Sequence, residues 1–295
     1  MLIRGDVGNE PSVGAVSAEK NYILDARKCV SFLEPLGICD GNGRVYDKKQ
    51  SKYRQINRFT ELLDDVYAKL PSEGELNVCD LCCGKSYLSF AVYYYLTSIK
   101  GRIVRMYGVD LKKDVIEFCS GLAERLGFEG MTFECGDVLN FNAVDRPDLV
   151  ISLHACDIAT DYVLAYAIRH KAGLILSTPC CHHEVFNQLS FPKNNTLKPE
   201  KDVSVPDLSF LADNSILKSK LSDALTDSLR CLMLEAEGYK TEAVELIDPE
   251  ETPKNVMIRA VYAGRKNAKA LKDYYQAQKF FGLETTLSKL LENVE

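Results

Sequence analysis

The sequence predicts an α/β fold: a mostly parallel sheet with helices on both faces, closed by an antiparallel hairpin and preceded by a helical N-terminal extension. Three observations predict it. From residue 76 onward, short apolar runs alternate with longer amphipathic ones, the pattern of repeated strand-helix units. One stretch, VCDLCCGKSYLSFAVYYYL over residues 78–96, begins as a strand, breaks on a glycine and resumes as an apolar helix. Near the end, YKTEAVELI and NVMIRAVYA are two alternating runs joined by the turn-forming DPEETPK.

In chain order, residues 18–36 and 50–70 carry apolar residues at helical spacing, the second through Tyr53, Ile56, Phe59, Leu62, Leu63 and Val66. They predict that residues 1–70 are a helical lid or substrate-holding region. Strands are predicted at 76–81, 103–110, 131–135, 148–153 and 173–178, with a helix over 112–126. Residues 187–220 are polar and broken by Pro192, Pro199 and Pro206, an insertion too long for a simple connection and suited to substrate contacts. A helix over 221–237 ends at Gly238, the hairpin completes a core spanning 71–263, and 264–295 read as a helical tail.

Charged residues at 26% and hydrophobic ones at 46% place the 295-residue chain among ordinary folded proteins. A net charge of -6 and a pI near 5.4 exclude a general polyanion-coating role and leave room only for a local basic patch, so DNA is not an expected partner. The N-terminus has no apolar core of signal-peptide length, and no run approaches the roughly 18 apolar residues a membrane span needs, so a cytoplasmic protein without membrane contact is expected. Eleven cysteines are then read as reduced thiols. Two adjacent pairs, Cys82-Cys83 and Cys180-Cys181, lack the paired CxxC spacing of structural zinc, and no metal is expected.

Ligands of open parallel sheets bind beyond the carboxyl ends of the strands, beside the turn after the first. Here that turn runs from Asp80 through Cys82, Cys83, Gly84 and Ser86. Gly84 lets the backbone approach a ligand, while Cys82 and Ser86 stand where nucleotide-binding loops often have further glycines. Asp110 ends the second predicted strand, where a carboxylate can accept hydrogen bonds from both ribose hydroxyls, and Leu111 follows it. Asp137 follows the third, suited to accept from an adenine amino group, with Val138 free to pack on the ring. The competing reading is that both aspartates only cap the next helices. No GxxxxGK[ST] or GxGxxG pattern is present, which disfavours a triphosphate or a dinucleotide and leaves S-adenosylmethionine, a nucleoside without phosphate.

These residues resemble a family. CDLCCGKSYLSFAVYYYL, GVDLKKDVIEFC, HACDIATDYVLAYAI, STPCCHHE and TDSLRCLMLEAEGY…TPKNVMIRAV are similar to the class I, Rossmann-like methyltransferase domain shared with the methyltransferase-like-25 and glutathione S-transferase C-terminal-domain-containing proteins, over about residues 50–263. A more distant likeness is to the eukaryotic tRNA 2′-O-methyltransferase of the acceptor stem. It rests on His154, Cys156, Ala159, Thr160, Asp161 and on Cys180, Cys181, His182, His183, with Asp157 where glycine is expected and without that protein's zinc-binding extensions. The resemblance implies a seven-stranded sheet with the hairpin at one edge, S-adenosylmethionine as cofactor, and Asp80, Gly84, Asp110 and Asp137 as its ligands.

Since the sulfonium makes the methyl electrophilic, the protein needs chiefly to align a nucleophile and accept its proton. His154 is the expected base and a cofactor neighbour, with Asp157 or Asp161 orienting its ring; its packing-only alternative stays open. His182 and His183, adjacent in sequence, point different ways, so one can meet substrate while the other satisfies the turn. Cys180 or Cys181 as a nucleophile activated by nearby histidines is a sharper alternative. A metal held by Cys180, Cys181, His182 and His183, with Cys82 or Cys83, is another; small side chains lining a tight pocket are favoured over both. For RNA capture, Lys52, Gln55 and Arg58, with Lys48 and Arg54, offer a basic helix face, against the reading of a solvated face that also covers Lys266, Lys269 and Lys272. The substrate expected is RNA, tRNA or rRNA; the alternatives are a protein or small molecule, or a cofactor-binding partner module without activity.

Overall fold

The computed structural model describes residues 21–153, 155–189, 209–246 and 255–292. A seven-stranded sheet runs through them in the order β3-β2-β1-β4-β5-β7-β6. Strands β1 (Leu76–Leu81), β2 (Val104–Asp110), β3 (Met131–Cys135), β4 (Leu149–Ser152) and β5 (Leu174–Ser177) are parallel; β6 (Tyr239–Glu245) and β7 (Val256–Tyr262) pair antiparallel with each other, and β7 with β5. Each lies within a few residues of its predicted span. The chain order reverses between β1 and β4, which fixes where a ligand crevice opens.

Because successive strand residues face opposite sides, the sheet feeds two cores. Val78, Leu149 and Ile151 pack beneath α3 (Tyr87–Tyr94), α4 (Lys113–Leu126) and α2 (Gln50–Asp64). Cys79, Val150 and Ile175 pack on the other face against α5 (Ile158–Arg169), α7 (Ser215–Ala236) and α8 (Ala268–Phe281). Strands buried on both faces need near-continuous apolar sequence, which LNVCDL and LILS supply.

The N-terminal segment departs from the reading of a helix over 18–36. Among its described residues only Val30–Leu33 form a helix, α1. Leu24, Phe32 and Leu33 are nevertheless buried, so the spacing reported burial, not helix. The backbone there is held by α2 side chains instead: Leu24 N donates to Asn57 Oδ1 at 2.8 Å, and Ala26 N to Tyr53 Oη at 3.0 Å. Helix α2 stops at Asp64, with a 3-10 turn over Tyr67–Lys69 completing the predicted 50–70 element. Residues 24–70 thereby share one core with β1, α3 and α4.

Of the polar insertion, residues 190–208 lie outside the described residues, as does the hairpin turn over 248–254. Helix α7 starts earlier than its predicted 221, at Ser215, because Asn214 Oδ1 accepts from Ile216 N and Leu217 N. The tail forms α8 and α9 (Thr286–Glu292), whose Tyr274 and Leu287 are buried in the second core. The tyrosines after Gly84 are packing residues: Tyr94 stacks on Phe32 at 4.5 Å, Tyr93 Oη accepts from Gly130 N at 3.0 Å, and Tyr95 hydrogen-bonds Asp64.

Candidate cofactor site

The turn after β1 is built from left-handed residues. Cys82, Gly84 and Ser86 have φ of +62°, +52° and +49°, the alternating positions at which glycine costs least. For cysteine and serine this conformation costs about 1–2 kcal/mol each, so other bonds must hold it. Cys83 N extends the ladder to Val109 O at 2.9 Å, and Gly84 N donates to Asp110 Oδ2 at 3.0 Å. Ser86, fully buried, places its hydroxyl 2.9 Å from Cys83 O and 3.2 Å from Asp80 Oδ2. A glycine there would keep the turn and lose these bonds.

Asp80 sits beneath that turn, 1% exposed. Ser86 and Ser89 share its Oδ2, and its buried Oδ1 has no partner among the described residues. Burial pushes its carboxyl up from 3.8 to about 7, against the pull of the Ser89 and Ser86 bonds. The proton thus stays on below that value, and the ionised form, able to neutralise a cationic ligand, takes over above it. Affinity for a cationic cofactor is therefore expected to rise from about pH 6 to about pH 8, and Asp80→Asn to flatten the rise, as titration calorimetry across that window will read.

Asp110 and Asp137 end their strands side by side. Asp110 Oδ1 accepts from Lys112 N at 3.0 Å, and Asp137 Oδ1 accepts from Leu139 N at 3.0 Å, so both do the local capping that competed with the ligand reading. Both also line a cavity of about 540 Å³ with Cys82, Gly84, Leu111 and Val138, inside the roughly 300–1,000 Å³ range of small-molecule sites. Its far wall, Cys156, Ile158, Ala159 and Tyr162, comes from the turn after β4 and the start of α5. Leu111 is 72% exposed at the edge, an apolar surface a ring can cover. Burial, then Asp110, Asp80 and Asp137, push the Cys82 thiol up to about 12, and the cavity lining carries two carboxylates, Asp110 and Asp137, beside one cation, Lys112. Such a site favours a cationic ligand over a phosphate.

A larger groove, about 1150 Å³, runs along α7 beside Ser215, Asp223 and Asp227. It lacks the glycine turn and the strand-end carboxylates. The smaller cavity has both.

Beyond β4, His154 lies outside the described residues. Asp157 has φ +54° and ψ −123°, a backbone glycine adopts easily and aspartate does not. Its Oδ1 accepts from Glu184 N at 3.0 Å, tying this turn to the start of α6 (His183–Gln188). Asp157→Gly is expected to be more stable than Asp157→Ala by roughly 1–2 kcal/mol, because both lose that bond and only glycine sheds the strain; denaturant melts of the two variants will show it.

Asp161, read as a possible partner of the His154 ring, is engaged by an arginine of α7. It is buried and accepts from Arg230 Nε at 2.8 Å. Arg230, 2% exposed on α7, also donates to Asp227 Oδ1 at 3.2 Å and to Asp157 O at 2.9 Å. His182 joins the same network, with Nε2 2.9 Å from Asp227 Oδ1 and Nδ1 3.0 Å from Asp223 Oδ1, the second contact close but poorly aligned for a hydrogen bond. His182 is thus committed to α7, away from the cavity, while His183 is exposed at the head of α6. Glu184 receives Thr286 N at 3.0 Å and caps α9.

The cysteines meet differently from the adjacent-residue picture. Cys156 Sγ lies 3.0 Å from Cys180 Sγ, and Cys180 Sγ 3.9 Å from Cys181 Sγ. Burial and the neighbouring thiols push Cys180 up to about 12, the opposite of histidine activation toward a thiolate. Of the basic residues, Lys52 reaches over the Tyr87 ring, 2.8 Å from its centroid, and burial followed by Lys49 and Lys85 lowers it to about 8. Arg58 pairs with Glu61 at 3.3 Å, Gln55 is half-buried, and Lys48 and Arg54 are exposed. Lys266 and Lys269 are taken by Glu237 and Asp273, and Lys272 is exposed.

Sequence reasoning missed Arg230, Asp227 and Tyr162. A lone arginine three residues after an aspartate within an apolar helix was the available signal for the first two.

This sheet order, with a cavity beyond the carboxyl ends of its parallel strands, is that of the class I, Rossmann-like methyltransferase fold. Residues 51–188 match the family model described as "Methyltransferase domain". The chain is 23% identical over 241 residues to the human glutathione S-transferase C-terminal domain-containing protein and 24% identical over 241 residues to the mouse one. Each match covers 77% of this chain and 36% of the relative, so the chain spans about a third of the length of the curated relatives it matches. Among solved structures it is similar to magnesium protoporphyrin IX methyltransferase from Synechocystis PCC 6803 with bound S-adenosylmethionine, at 14% identity and a TM-score of 0.41, over 81% of this chain and 93% of that one. The cavity lining fits S-adenosylmethionine in its chemistry: Asp110 and Asp137 offer acceptors at two strand ends, and Leu111 and Val138 offer apolar surface.

Proposed function

We propose that this chain methylates RNA, tRNA or rRNA, in the cytoplasm, without membrane or DNA as partner. What carries the reading is a lysine cluster beside the turn after β1: Lys85 within that turn, Lys52 in the first turn of α2 and Lys49 just before it. Lys49, Lys52 and Lys85 stand close enough that the other two help depress Lys52, an arrangement with little internal neutralisation and suited to phosphates. Tyr87 beneath Lys52 adds an aromatic face at the same place. No described helix is long and apolar enough to cross a membrane.

When bound, S-adenosylmethionine supplies an electrophilic methyl group on its sulfonium. Asp110 would accept from the ribose hydroxyls and Asp137 from the adenine amino group, and Leu111 and Val138 would pack on the ring. Asp80, buried beneath the Cys82-to-Ser86 turn, would act on the cationic end through its charge. His154, two residues after β4 in sequence, would take the proton of the attacking hydroxyl or ring nitrogen, and the Asp157, Arg230 and His182 network holds the turns after β4 and β5. Preorganised turns of this kind raise the rate by holding reactants in line.

The test is transfer of tritiated methyl from S-adenosylmethionine into fractionated cellular RNA. Ribonuclease-sensitive label is expected, lost in Lys52→Glu/Lys85→Glu while cofactor binding persists. Label that instead follows protein or small-molecule fractions contradicts the RNA reading and leaves the cofactor site standing.

A further inference from the structure

The turns after β4 and β5 bring three thiols together, those of Cys156, Cys180 and Cys181. Their sulfurs all lie within 4.8 Å of one another, with separations of 3.0 Å and 3.9 Å along the two closest pairs. We propose that this trio is a binding site for a thiophilic cation, Zn²⁺, at the rim of the cofactor cavity.

Geometry carries it. Thiolates on a tetrahedral zinc, each about 2.3 Å from the ion, stand about 3.8 Å apart, in the middle of the observed spread. A disulfide needs two sulfurs at about 2.05 Å and has no use for a third; here a third stands 3.9 Å from Cys180 Sγ. The ligand set also differs from the one the sequence offered. The adjacent His182 is engaged by Asp223 and Asp227, and Cys156, 24 residues before Cys180, takes the place of a histidine. It does so because β4 and β5 are in register at Ser152 and Ser177, which sets the turns that follow them side by side.

Three protein ligands leave the fourth position of a tetrahedral ion open, the arrangement of catalytic rather than structural zinc. Cys156 lines the cofactor cavity, so the ion stands where a water or an incoming hydroxyl can reach both it and the cavity. Each ligating thiol gives up its proton to solvent as the metal binds. This inference does not depend on RNA being the substrate.

The full chain, purified from zinc-supplemented medium under a non-chelating reductant, is to be analysed for metal. The expected result is close to one zinc per chain, falling to near zero in Cys156→Ser/Cys180→Ser/Cys181→Ser, with Cys156→Ser alone reducing it severalfold. Cobalt-substituted protein should show a thiolate-to-cobalt charge-transfer band that weakens with each serine. Melting curves and S-adenosylhomocysteine binding of the same samples report folding and the cofactor site separately. Wild-type protein that is folded and remains far below one zinc per chain in excess zinc overturns the proposal. So does zinc retained in the triple variant, or a Cys156-Cys180 disulfide isolated from the reduced, zinc-replete protein.

Discussion

Asp110→Ala is expected to weaken S-adenosylmethionine binding by about a hundredfold or more. Charge-assisted hydrogen bonds contribute roughly 1.5–3 kcal/mol each, and two ribose hydroxyls are at stake. The same carboxylate receives Gly84 N and Lys112 N, so its removal also frees the turn that forms the cavity floor. A modest loss of stability, about 1–3 kcal/mol for amides left without their acceptor, should accompany the loss of binding. Calorimetric titration beside a denaturant melt separates the two effects: if affinity falls no further than stability explains, the ribose role fails.

Arg230→Met is expected to be the most destabilising single change, by about 3–5 kcal/mol, because it leaves the buried Asp161 and Asp227 without their shared cation. The melting temperature should fall by on the order of 10 °C. Asp161→Asn should cost a comparable amount, and the double variant less than the sum of the two, since the partners belong to one network. Additive losses would mean that the pair is not coupled. The consequence reaches the site: Arg230 also donates to Asp157 O, and Asp227 holds His182, so the turns after β4 and β5 loosen together.

Much of this was legible along the chain. Apolar runs ending in Asp80, Asp110 and the residues before Asp137 located three strand ends, because strands buried on both faces demand such runs. Cys82 and Ser86 could be set at glycine positions from spacing alone, and their left-handed φ values give the physical content of that match. Asp157 standing where glycine was expected has the same explanation, a positive φ stabilised by a bond to Glu184 N. The N-terminal helix was not legible: periodicity records which residues are buried, whereas the backbone found its partners on Asn57 and Tyr53, about 30 residues away. Nor was the meeting of His182 with Asp227, 45 residues on, or of Asp161 with Arg230, 69 residues on. Such pairs depend on how α7 crosses the sheet, which no local pattern encodes.

The most direct test of the cofactor site is a crystal structure of the protein with S-adenosylhomocysteine at saturation. The account predicts the nucleoside in the 540 Å³ cavity, ribose hydroxyls on Asp110, the adenine between Leu111 and Val138, and the amino-acid end over the Cys82-to-Ser86 turn. Density in the groove along α7 instead, or a cavity that stays free of ligand at saturation, would contradict it.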